Sequence, residues 1–83
     1  MPNSLFNRIS FILTQLHALR NRKDDLEEKI ASEQSRLAPN AQQLHWLRVR
    51  RLMVGEQIER HETTLNDLKN VLFSGKGQKE VAA

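Results

Sequence analysis

The chain has 83 residues and no cysteine, which limits it to one small domain and excludes a disulfide framework or thiolate chemistry. Its 13 basic and 10 acidic residues leave a net charge of +3, with both signs interleaved along most of the chain, a pattern that suits a solvated helical surface better than a dedicated polyanion binder. A single core of this size contributes only about 3–5 kcal/mol, so stabilisation by a second chain is expected from the outset.

The longest strongly apolar run, Phe11 to Leu13, is far short of the roughly 20 residues a bilayer span needs. Residues 1–23 contain no acid and carry Arg8, Arg20 and Arg22, loosely resembling an organelle transit peptide. The same apolar seam continues without a break into acidic sequence, however, and no signal-peptide apolar region is present. The expected location is the cytoplasm.

Helix one is expected over about 4–37. Asn3 or Ser4 can cap its first free amides, and no Gly or Pro follows before Leu37. A heptad runs through it without slips, with Ile9, Leu16, Lys23, Ile30 and Leu37 at a and Leu5, Ile12, Leu19, Leu26 and Glu33 at d. All of these but Lys23 and Glu33 are aliphatic. Such a helix is about 50 Å long.

Ala38-Pro39-Asn40 is the strong punctuation, because proline disfavours helical geometry in the residue before it and lacks an amide donor. A turn at 38–40 is followed by a second helix over about 41–73. Its seam is Leu44, Arg51, Ile58, Leu65 and Leu72 at a, with Leu47, Val54, His61 and Leu68 at d. Ser74-Gly75 supplies a glycine helix stop, and residues 74–83 are expected to be a flexible tail.

Two helices of matched length joined by a short turn predict an all-α fold, an antiparallel two-helix coiled-coil hairpin able to dimerise into a four-helix arrangement. The facing layers are Leu5 with Leu72, Ile9 with Leu68, Ile12 with Leu65, Leu19 with Ile58, Leu26 with Arg51, and Ile30 with Leu47. The heptad phase also continues across the turn, so a single kinked helix in a longer coiled coil is the alternative. A proline inside an exposed helix costs about 3 kcal/mol, which favours the hairpin.

Lys23 to Ile30, KDDLEEKI, followed by a short interruption and Leu47 to Ile58, LRVRRLMVGEQI, resembles the YdcH-like family of small bacterial helical hairpins. The resemblance rests on Leu47, Arg48, Arg51, Leu52, Val54, Glu56 and Ile58. Gly55, Gln57 and Lys23 depart from the family's usual lysine, acid and histidine. About half the chain is covered, and the matching positions are coiled-coil residue types. The resemblance implies a bacterial cytoplasmic hairpin with no established activity and transfers no catalytic residue.

No catalytic constellation is expected, and neither a metal nor a cofactor. His17, His45 and His61 lack paired ligand spacing, although His17 and His61 lie across from each other in the expected register, with His61 half-buried and His17 in water. Asp24, Asp25, Glu27 and Glu28 sit among Arg22, Lys23 and Lys29, where helical pairing and solvation account for them. Glu27 and Arg48 are the expected cross-helix ion pair.

Two surfaces remain. On one side, Arg22, Lys29, Arg36, Arg50 and Arg60 form a basic stripe around exposed Trp46 and Met53, the expected partner-binding face. That stripe could dock a larger protein, be covered by a second copy, or bind phosphate with Trp46 stacking on a base. Elsewhere, Phe6, Phe11, Leu13, Leu52, Val71 and Phe73 exceed what two helices can bury and are the expected self-association residues, concentrated toward the open end of the hairpin. Gly55, costly mid-helix, predicts close approach by another backbone or by the Arg20 side chain. The function expected from this pattern is a non-catalytic interaction or adaptor module. The alternatives are a small nucleic-acid-binding protein and a secretion-type helical co-chaperone.

Overall fold

A computed structural model describes the backbone of residues 4–82 and the side chains of residues 4–73. Two helices, α1 (Ser4–Gln34) and α2 (Ala41–Ala82), fold back on each other as a hairpin measuring 66 × 25 × 15 Å. The shortest dimension is close to one helix diameter, so the molecule is a single layer, and the longest matches a 42-residue helix at about 1.5 Å per residue. The chain doubles back, and the single-kinked-helix alternative does not describe it.

The core is the aliphatic seam. Ile12, Leu16, Leu26, Ile30, Leu44, Leu47, Val54, Ile58 and Leu65 are buried, with Ile9, Leu19 and Leu68 packed half-buried against them. Every one of these falls at an expected a or d position. A spacing of three and four keeps one stripe on one side of each helix, and burying that stripe against its counterpart removes apolar area from water at about 25 cal/mol per Å². Lys23 and Arg51 are half-buried at their seam positions and line the groove beside Leu52, as long charged side chains with apolar stems can.

The turn departs from expectation. The first helix ends at Gln34, not Leu37, and the second begins after Asn40. The Arg36 amide bonds back to the Glu33 carbonyl at 3.2 Å, a tightening that closes the last turn. The chain then leaves helical geometry ahead of Pro39, and Leu37 is wholly exposed at 108% instead of joining the seam. Asn40 caps α2, its Oδ1 accepting the Gln43 amide at 3.0 Å. The signal was present as Asn40-Ala41-Gln42-Gln43, the spacing of a capping box.

Glu33 holds this turn closed. Its carboxylate accepts the Asn40 amide at 2.8 Å and the Arg36 guanidinium at 3.0 Å, so one buried side chain ties the end of α1 to the start of α2. The Asn40 amide lowers the Glu33 pKa most; burial opposes that shift, and Arg36 reinforces it. A carboxyl whose folded pKa lies below its unfolded one adds stability above the unfolded value, and that stability is lost as pH falls through the folded value. Urea midpoints of the native chain should therefore drop on acidification through and below the ordinary glutamate range, whereas Glu33→Gln starts lower at neutral pH and loses less. Parallel curves for the two proteins would remove Glu33 from this role.

At the far end, α2 continues through Ser74 and Gly75, where a helix stop was expected, and no glycine among the described residues adopts a positive φ. No proline interrupts this stretch, and a helical glycine costs only about 1 kcal/mol relative to alanine. The helices are consequently unequal, 42 residues against 31. The capping role of Asn3 lies outside the described residues. No helix among the described residues is long and apolar enough to cross a membrane.

Candidate functional site

Heptad geometry leaves a two-helix layer with two broad faces, each carrying a groove between the helices. Along the first face, Arg22, Asp25 and Lys29 of α1 stand across from Arg50, Met53 and Gln57 of α2, with Leu26 and Val54 beneath them. Four of the expected partner-binding residues, Arg22, Lys29, Arg50 and Met53, are thus brought into one groove. Its three cations exceed its one carboxylate, leaving two excess positive charges. Met53 is 58% exposed in this setting.

Trp46 and Arg60 extend the same side of α2, since steps of seven residues return a helix to within about 20°. Trp46 is 54% exposed, its indole meeting the His45 ring edge-on at 5.4 Å between centroids. Arg36 does not belong to the stripe. It lies in the turn beyond α1 and is paired with Glu33 at 3.0 Å. The early end of α1 removes it from the helical repeat that would have aligned it with Arg22 and Lys29.

On the opposite face, Gly55 and exposed Leu52 line a second groove with Asp24, Glu27, Glu56, Glu59 and Glu62. Arg20, Lys23 and Arg51 are its cations, so the groove carries two excess negative charges. The cross-helix ion pair forms here between Arg20 Nη2 and Glu62 Oε2 at 2.7 Å, with both side chains about half exposed. The expected pair of Glu27 with Arg48 is not among the ion pairs of the described residues. Heptad lettering places both pairs edge to edge, and the helices' axial offset decides between them.

Along the seam, Leu26 lines a groove with Val54, and Leu19 lines one with Gln57 and His61. His61 is half-buried beside Leu19, Gln15 and Arg22 on the basic side. His17 is exposed, with its Nε2 3.3 Å from the Asn21 side-chain amide of its own helix. The two histidines therefore do not form a pair. Among the described residues no group of three His, Cys, Asp or Glu side chains is placed to hold a metal ion.

Gly55 departs from its expected role within the chain. A Cβ built there would have no neighbour within 4 Å, so neither backbone nor the Arg20 side chain requires a glycine. Sequence reasoning located the residue but not the opening beside it, which depends on where α1 lies.

The expected self-association residues are all exposed. Phe6 (56%), Phe11 (62%), Val71 (64%) and Phe73 (67%) lie toward the open end, Phe6 and Phe73 on the side of Leu13 and Leu52 and Phe11 and Val71 on the other by heptad position, and Leu52 lines the acidic groove. The seam also thins toward that end, where Leu5, Ile9, Leu68 and Leu72 are only half-buried. The fold thus defines an all-α helical hairpin with two oppositely charged faces and an apolar open end. Compared with known proteins, the chain matches no family model, no curated protein and no solved structure.

Proposed function

We propose that this chain is a non-catalytic interaction or adaptor module, self-associating through its open end and Leu52 side while presenting the Trp46/Arg50/Met53 face to a larger protein. The observation that carries the reading is the exposure of Phe6, Phe11, Val71 and Phe73 around a half-buried end of the seam. Several large apolar side chains exposed at one end of a hairpin favour an interface there, and a chain of this size gains stability by covering them. Among the described residues every carboxylate except Glu33 is exposed, and Glu33 is engaged by the Asn40 amide and Arg36 in the turn, which supports assigning no catalytic role. Membership of the YdcH-like hairpins and a cytoplasmic setting belong to the same proposal, on the residues that resemble that family.

Nucleic-acid binding is the second reading, favoured by Arg22, Lys29 and Arg50 converging beside exposed Met53, with Trp46 about two turns before it on the same side. Asp25 inside the groove counts against it. The deciding measurement is purification of the intact chain at native expression, identification of what accompanies it, and sedimentation to count copies. An adaptor is expected to carry a protein of defined stoichiometry that stays bound as salt rises. Binding to a single-stranded oligonucleotide that falls steeply with salt and is lost in Arg50→Glu would replace this reading with the nucleic-acid one.

A further inference from the structure

Three observations converge on the middle of the hairpin. The groove beside Gly55 has two excess negative charges, and the groove beside Met53 on the opposite face has two excess positive ones. The two grooves share no lining residue and span the same height, residues 20–27 with 51–62 against residues 22–29 with 50–57. Beside Gly55 there is open space for at least 4 Å around the missing side chain, flanked by Leu52 at 64% exposure, while Met53 projects from the other face at 58%.

We propose that the groove over Gly55 is the docking site for the Met53 face of a second copy of this chain, so that hairpins stack face to opposite face. This rests on the self-associating reading above and names the occupant of the Leu52 side. Pairing either face with itself would oppose like charges, whereas pairing the two different faces matches opposite signs. Methionine is unbranched and deformable, suited to an irregular gap left by a glycine. A glycine that the isolated hairpin does not require, and that weakens its helix, is explained by a neighbour seated against it. Because the two patches differ and lie on opposite sides at one height, the contact is heterologous and each added copy leaves one face of each kind uncovered. The free Met53 face at the end of such a stack is the one available to a larger partner.

The test uses two single variants, Glu59→Lys on the acidic groove and Arg50→Glu on the basic one, each blocking one face and leaving the other native. Sedimentation velocity on the wild-type chain should show a mass that keeps rising with concentration. Each variant alone should associate about tenfold more weakly at low salt, and the equimolar mixture should form a one-to-one pair through the single native contact that remains. Gly55→Leu keeps the fold measurable, since its urea midpoint should rise while association is lost. Variants that assemble like the wild type, a mixture that fails to pair, or a Gly55→Leu chain that stacks normally would each overturn the stacked arrangement. Assembly that ignores Glu59, Arg50 and Gly55 but disappears when the open-end phenylalanines are replaced would leave the broader self-association reading intact.

Discussion

Leu16→Ala is expected to leave the hairpin largely unfolded at room temperature, read as loss of helical circular dichroism and of a cooperative urea transition. Leu16 is the most deeply buried large side chain among the described residues, 1% exposed, and lies between Ile12 and Leu26 along the seam. Removing a buried leucine side chain typically costs about 2–5 kcal/mol, from lost transfer free energy and the cavity left behind. A single-layer core of this length holds about 3–5 kcal/mol in total, so one truncation is comparable with the whole. Leu13, on the same helix but 47% exposed, is the control. Leu13→Ala at low protein concentration should shift stability by no more than about 0.5 kcal/mol. Similar losses at both positions would mean that the seam is not where the core lies.

The second large effect concerns association. Replacing Phe11 and Phe73 together by serine should reduce the association constant by roughly two decades or more, because each large apolar side chain covered at an interface contributes about 1.5–3 kcal/mol. The same double variant should unfold at an unchanged urea midpoint when dilute, since the two rings are 62% and 67% exposed in the single chain. Separating these readouts matters. A fall in stability without a change in sedimentation would assign the phenylalanines to their own hairpin and remove the open end as an interface.

Both predictions use residues that helical spacing picks out. Seam positions were legible because burial in a paired helix follows a period of three and four, which the nine buried aliphatics obey from Ile12 to Leu65. Surplus apolar residues such as Phe11 and Leu52 were legible for the complementary reason, that they fall outside the stripe. Leu37 was misplaced by that logic. Its spacing fits the heptad, but the helix had already ended three residues earlier, where Glu33 turns from a seam position into the ligand of the Asn40 amide. A bond between side chain and backbone seven residues apart carries no periodic signature.

Amino-acid order alone determined that this chain forms two long helices, which side of each is apolar, and that the chain reverses near Pro39; these depend on local spacing, backbone sterics and the lack of an amide on proline. The tertiary structure decided where the reversal closes and how far one helix slides along the other. It is Arg20 with Glu62 that pairs across the helices and not Glu27 with Arg48, Glu33 closes the turn on the Asn40 amide, and Gly55 lies beside open space. The physical reason is that a helical repeat specifies an angle around each axis, whereas position along the axis is set by the turn and by the sum of the contacts between the two helices.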